Sequence, residues 1–321
     1  MVSFKTDKYQ RVDDRDGHPR HVSDRLRGSP PHGTKMSNAP SFVTPLRYPG
    51  GKARLGAWLA ALLEHNDLKN GVYVEPYAGG AGAAMYLLIN NHVNNIVIND
   101  IDPVVHAFWW ALLNDTDRLA SMISETPVTM ETWHKQQEIV SNTKITDLTL
   151  LGFATFFLNR TNRSGMIKGG VIGGKNQTGK YLIDARFNKK DLIERVIKIG
   201  KLKDRIQLFN VDAPEILNHP DIEFTERSLI YLDPPYFEKG SQLYRNHYQP
   251  EDHKKISESV MNICTPWLVT YDNCEEIKKL YHEADGVEFS LHYSTHLLRP
   301  KATEAMFYGN LELHTPPTLR R

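Results

Sequence analysis

Apolar positions keep no period over the first 41 residues and then fall into step. Residues 1–41 are rich in Arg, Asp, His, Pro, Ser and Gly and are expected to form a disordered tail. Met36 stands just before the first patterned segment, as a candidate start of the folded part. A glycine-rich turn then leads into apolar residues at helical spacing from Leu55 to Leu63. GVYVEPYAGGAGAAMYLLINN reads as a short strand, a glycine loop and a helix, and NNIVIND as a second strand ending in an acid. The pattern is helical from Pro103 to Glu131 and again from Thr146 to Asn159. It breaks into glycines, lysines and amides from Arg160 to Asn188.

Periodicity then returns. KKDLIERVIKIGKL is an amphipathic helix, RIQLFNVD a strand closing on Asp212, RSLIYLDPP a strand buried on both faces, and PWLVTYDN and TEAMFYGN further strands of the same sheet. Thr270, Tyr271 and Asn273 read as sheet structure at the edge of a pocket. Alternating strands and helices predict a Rossmann-like α/β domain assembled from residues 42–106 and 189–315, interrupted by a mostly helical insertion at 107–188.

Length and composition add little to this picture. The 321 residues allow about two domains. No run approaches the ~18 apolar residues of a spanning helix, and the amino terminus lacks the apolar stretch of a secretory signal, so a cytoplasmic location away from membranes is expected. Cys264 and Cys274 form neither a disulfide framework nor a zinc motif, and no metal is expected. Charge matters once it is placed. The net value is only +1, yet residues 160–205 carry thirteen Lys or Arg against four Asp or Glu. That basic region suits a phosphate backbone.

The strand, glycine loop, helix, strand and acid at 72–100 follow the order of a nucleotide-binding unit. Asp100 lies at the end of the second strand, where a carboxylate accepts hydrogen bonds from ribose hydroxyls. A Walker loop is excluded: the nearest match, GGVIGGKN at 169–176, has Asn176 where the metal-binding hydroxyl belongs.

Five stretches occur in order: PLRYPGGK at 45–52, YVEPYAGGAG at 73–82, VINDIDP at 97–103, FFLNRTNRSG at 156–165 and YLDPPY at 231–236. Together they resemble the Dam-type adenine-specific DNA methyltransferases over about residues 42–310. The resemblance implies methyl transfer from S-adenosylmethionine to an adenine in double-stranded DNA. The enzyme is expected to be prokaryotic or phage-encoded, and a monomer, since flipping one base at a time needs no partner. A restriction-modification role, with the cognate restriction endonuclease on a separate chain, and an orphan or prophage methylase are equally compatible.

Roles follow by match. Tyr48 and Lys52 would contact the cofactor, Gly79, Gly80 and Gly82 would admit its methionine portion, Asp100 would bind its ribose, and Asp212 would approach its adenine. In DPPY, Asp233 would accept one hydrogen of adenine N6 and the Pro234 carbonyl the other, with the two prolines restricting the backbone so that the acceptors converge. Asp233 also borders the cofactor, and Tyr236 would stack on a base taken out of the duplex. Asn159, Arg160, Arg163, Lys168 and Lys175, with Thr161 and Gly165, fall on the target-recognition side and are expected to meet DNA. The chain departs from the family there, carrying NRTNRSG in place of an aromatic-Asn-Gly, so the recognised sequence stays open. So do N4 of cytosine as the acceptor and a catalytically silent DNA-binding relative.

Overall fold

Short, nearly continuous apolar runs become the centre of the sheet because both faces of each strand are covered. The strands are β1 (Val72–Glu75), β2 (Asn95–Asn99), β3 (Ile206–Phe209), β4 (Leu229–Leu232), β5 (Trp267–Asp272), β6 (Asp285–His292) and β7 (Lys301–Gly309). They hydrogen-bond in the order β3-β2-β1-β4-β5-β7-β6. The first five are parallel, and β7 runs antiparallel to both β5 and β6. This computed structural model describes residues 43–47, 52–238, 248–292 and 301–317, all within the unit Pro40–Arg321. The tail expected at 1–41, with Met36, and the predicted cofactor residue Tyr48 lie outside the described residues.

Ten helices among the described residues cover the sheet: α1 (Gly56–His65), α2 (Gly82–Ile89), α3 (Pro103–Asn114), α4 (Thr116–Glu125), α5 (Met130–Ser141), α6 (Leu148–Thr161), α7 (Lys189–Gly200), α8 (Ala213–Ile216), α9 (Pro250–Met261) and α10 (Glu275–Leu280). The period of two along each strand sorts the core into two layers. Tyr73, Ile96, Ile98, Leu229, Tyr231 and Leu268 pack with residues of α1 to α7. Val74, Val97, Ile230, Leu232 and Val269 pack with Ile216, Ile256, Val260 and Ile277 from α8 to α10. Each such side chain contributes about 1.5–3 kcal/mol when fully buried. Among the described residues no helix is long and apolar enough to cross a membrane.

Between β2 and β3 the chain runs through α3 to α7, the helices and basic loop that the sequence sets apart. The sequence reading gave no helix at α8, α9 or α10, and three further details differ from it. Strand β3 stops at Phe209, short of Asp212, because the Val211 N–H turns to the side-chain Oδ1 of Asn99 at 3.0 Å and not to a strand partner. Helix α5 lies beyond the predicted helical stretch; its face is polar, with only Trp133 and Gln136 buried. Strand β6, at the sheet edge, was not anticipated, although VEFSLH alternates apolar and polar positions as a half-buried strand does.

Candidate active site

Each of the five parallel strands ends in, or shortly before, an acid: Glu75 closing β1, Asp100 after β2, Asp212 beyond β3, Asp233 after β4 and Asp272 closing β5. The chain order of the strands reverses between β1 and β4, which lie side by side, and in open α/β sheets ligands bind outside the carboxyl ends at such a point. The glycine loop following β1 and the DPPY turn following β4 flank that crevice.

Asp233 is held from two directions. Lys52, entering from the turn before α1, brings its Nζ to 3.0 Å from Asp233 Oδ1, and Thr270 on β5 donates from Oγ1 to the same oxygen at 2.9 Å. Thr270 is itself fixed by the Tyr231 hydroxyl at 2.9 Å. Asp233 Oδ2 takes no hydrogen bond among the described residues. Lys52 also reaches Glu304 Oε2 at 3.5 Å, and the Tyr236 hydroxyl donates to Glu304 Oε1 at 2.7 Å. The Tyr236 ring lies beneath the Lys52 ammonium, 5.5 Å from Nζ to centroid.

Burial alone would push the Lys52 ammonium down, but the charges of Asp233 and Glu304 and the Tyr236 hydroxyl reverse this, and its pKa lies well above the usual lysine range. Glu304 is pushed up by burial and by Asp233, against the opposing pull of Lys52. The result is a buried lysine that stays cationic beside the DPPY carboxylate.

Across the crevice, Gly79 adopts φ 47°, a left-handed conformation open to glycine at no steric cost. Its N–H donates to Asp100 Oδ2 at 2.9 Å, and its carbonyl accepts the Trp109 indole N–H at 2.9 Å. The Gly80 carbonyl accepts from Thr44 Oγ1 at 2.5 Å, and Gly82 opens α2 against Ala53. Asp100 Oδ1 accepts the Asp102 N–H at 2.9 Å. Burial, with the charge of Asp102, pushes the Asp100 carboxyl up to about 7 despite the two N–H donors that favour its ionised form. Glu75 accepts from the Tyr73 hydroxyl and the Ala84 N–H, each at 3.0 Å, and burial pushes it up to about 8. Asn99, fully buried, donates to the carbonyls of Pro76 at 2.9 Å and Val211 at 3.0 Å, so the loops after β1 and β3 are tied to β2.

Around this centre, Asp272 accepts the N–H groups of Phe237 at 2.9 Å and Glu238 at 3.0 Å and holds the chain leaving DPPY. Asp212 does not end a strand. It accepts the Ala213 N–H at 2.9 Å as the cap of α8 and lies 3.6 Å from Lys255.

The residues expected on the DNA side divide. Asn159 is buried: its Oδ1 accepts the Arg47 N–H at 2.7 Å, and its Nδ2 donates to the carbonyls of Arg47 at 2.6 Å and Gly165 at 2.8 Å. Arg160 is buried too, donating to the carbonyls of Arg186 at 2.9 Å and Pro45 at 3.4 Å, and burial among Arg47 and Arg195 pushes its pKa down to about 9. Both side chains therefore brace the segment leading to Lys52 from within. Thr161 is likewise buried, bonded to the Phe157 carbonyl. Gly165, at φ 78°, passes so close to the Arg47 carbonyl that a Cβ would lie 2.2 Å from it. Arg163, Lys168 and Lys175 are exposed.

Sequence reading missed Glu304, Glu75, Asn99 and Asp272 and treated Thr270 as plain sheet structure. The only signal was an isolated acid or amide next to a run of buried strand residues, as in VYVE, NIVIN and TEAMF. The partners of Glu304 and Asp272, and the Val211 carbonyl that Asn99 holds, come from distant parts of the chain, whereas Glu75 is bonded to its neighbours Tyr73 and Ala84.

The parallel strands, the glycine loop and the fixed DPPY carboxylate define an α/β methyltransferase. The family model of the D12 class N6 adenine-specific DNA methyltransferases matches residues 48–306, and the chain belongs to that family. It is a DNA adenine-N6 methyltransferase. Among curated relatives, it is 25% identical over 205 residues to the Type II methyltransferase M.MjaIII of Methanocaldococcus jannaschii, covering 60% of this chain and 68% of the relative. Solved structures with a related outline include the proposed RNA methyltransferase PH1948 of Pyrococcus horikoshii, at 12% identity and TM-score 0.37, covering 82% of this chain and 84% of that one. The rRNA methyltransferase AviRa of Streptomyces viridochromogenes shows 11% identity and TM-score 0.35 over 81% and 85%. Both likenesses are too distant to inform the chemistry.

Proposed function

We propose that the enzyme transfers the methyl of S-adenosylmethionine to N6 of an adenine turned out of duplex DNA, at a defined sequence. The observation that carries this reading is the anchoring of Asp233. Its cation and its hydroxyl partner both engage Oδ1, so the carboxylate is fixed in direction while Oδ2 is left to accept a hydrogen from an amine. An exocyclic amine conjugated to a ring is a poor nucleophile. Two acceptors that draw its hydrogens out of the ring plane, Asp233 and the Pro234 carbonyl, restore its lone pair, and their preorganisation lowers the barrier.

Tyr236, held through its hydroxyl by Glu304, supplies the ring against which the base stacks once its neighbours give way. The N4 of cytosine would suit the same acceptors, but the family is adenine-specific.

The crevice beside β1 fits the cofactor. Asp100 accepts the ribose hydroxyls, the backbone at Gly79, Gly80 and Gly82 admits the methionine portion, and Ile101, 44% exposed beside Asp100, offers the adenine ring an apolar face. When bound, S-adenosylmethionine would supply a sulfonium-activated methyl carbon, which the amine would take with sulfur as the leaving group while giving up one of its hydrogens as a proton. Lys52, through its ion pair, keeps Asp233 aimed. Residues 107–188 form the target-recognition insertion, and Arg163, Lys168 and Lys175 contact phosphates. The Type II designation of the M.MjaIII relative supports a place beside a separate cognate endonuclease.

Expression in a methylation-free bacterial host, followed by single-molecule sequencing of the genome for modified bases, tests the reading. N6-methyladenine in one sequence motif, absent with Asp233→Ala, is expected. No modified base from the well-expressed wild-type protein would overturn it.

A further inference from the structure

The loop between α6 and α7 holds two large apolar side chains out in water, Tyr181 at 57% and Leu182 at 46% exposure. Such exposure in a floppy loop would mean little, but this loop is pinned on both sides of the pair. Gln177 Nε2 donates to the carbonyls of Ile172 and Gly174, both at 2.8 Å, while its Oε1 accepts the Ile183 N–H at 2.8 Å. Ile183 and Phe187 are buried, the latter packed on Phe156 and Phe157 of α6 with centroids 5.5 and 5.3 Å away. The fold therefore presents Tyr181 and Leu182 outward at a defined place.

The surroundings indicate what would cover them. Lys180 Nζ lies 5.7 Å and Arg186 Cζ 5.9 Å from the Tyr181 ring centroid. Exposed Lys168 and Lys175 belong to the same loop, within the stretch 160–205 that carries thirteen basic against four acidic residues. An aromatic ring flanked by cations in a strongly positive region complements nucleic acid, where phosphates take the charge and bases the ring. The loop is also joined to the active-site approach: Arg160 bonds both the Arg186 carbonyl and the Pro45 carbonyl, in the segment that leads to Lys52.

We propose that Tyr181, with Leu182 beside it, is a stacking wedge that packs against an unstacked base of the bound DNA. The proposal rests on the base-flipping reading above, because an intact duplex offers an aromatic ring no base face except at its ends. The cations beside the ring bind phosphate whatever the sequence, while the ring contributes only where the helix is opened.

The test uses the full-length protein, unmethylated plasmid DNA and transfer of a tritiated methyl group. Tyr181→Ala is expected to raise the KM for DNA about five- to a hundredfold, and Tyr181→Phe to keep it within about twofold, as stacking needs the ring and not the hydroxyl. The salt dependence of binding stays as in the wild type, since no charge is lost. Photo-cross-linking to DNA substituted with 5-iodouracil should label Tyr181 in the wild type. A wild-type KM for Tyr181→Ala, on a protein that melts as the wild type does, overturns the inference while leaving the methyltransferase reading intact. The same holds if the substitution instead dissociates a dimer, which would assign the patch to a second copy. A wild-type protein that transfers no methyl to plasmid DNA overturns both.

Discussion

Lys52 and Asp233, far apart in the chain, meet in a nearly buried ion pair at 3.0 Å, and Glu304 joins them 3.5 Å from the same ammonium. One cation thus serves two carboxylates in a region largely shielded from water. Removing one partner of such a group leaves charge stranded, which costs about 3–5 kcal/mol. Lys52→Met is expected to lower stability by that order and to abolish methyl transfer. Adding Glu304→Gln should recover part of the stability and none of the activity. Thermal unfolding of the two single variants and the double variant measures the coupling.

Asp233→Asn keeps the shape of the turn and loses the charge that draws on the amine. Methyl transfer is expected to fall by about 10²- to 10³-fold, as when one preorganised group of a reacting centre is removed. Retention of the protein on DNA in a gel-shift assay should persist, since the phosphate contacts lie elsewhere.

Asp100 titrates near 7 because burial opposes its charge. A ribose hydroxyl is best accepted by the ionised form, so affinity for S-adenosylmethionine should rise as pH passes upward through about 7. Asp100→Asn should bind more weakly and flatten the profile. Calorimetric titration from pH 6 to pH 8.5 distinguishes the two.

Glu75 acts on stability with the opposite sign. Its folded pKa of about 8 lies above the ordinary 4.5, so between these values the unfolded chain has released a proton that the folded chain retains. Stability should therefore fall as pH rises through this window, by about 1.4 kcal/mol per unit from this group. Glu75→Gln can still accept from the Tyr73 hydroxyl and the Ala84 N–H, and should flatten the dependence in denaturant titrations run across it.

Arg163, Lys168 and Lys175 point into solvent, whereas Asn159 and Arg160 are bound to the backbone within. Replacing Lys168 and Lys175 together with Ala is expected to weaken DNA binding about equally on all sequences, with the slope of log K against log salt reduced by about 0.9 per lost phosphate contact. Arg160→Ala should instead lower thermal stability, through the lost ties to Arg186 and Pro45.

The order of strands and helices, the glycine loop, Asp100 and the DPPY turn were legible in the chain because each depends on neighbours within a few residues: apolar spacing, a positive φ, prolines following an acid. The helices α5, α8, α9 and α10 escaped because short or largely polar surface helices carry little periodic signal, and the edge strand β6 was passed over despite the alternation of VEFSLH. The assembly of the site belongs to tertiary structure. That Lys52 faces Asp233, that Thr270 and Glu304 complete its surroundings, and that Asn159 and Arg160 turn inward follow from how β4, β5 and β7 lie side by side and how α6 packs on the approach to Lys52. The types of these residues permit either a solvated or a buried role, and only the sheet register and the packing of distant segments determine which of them water can reach.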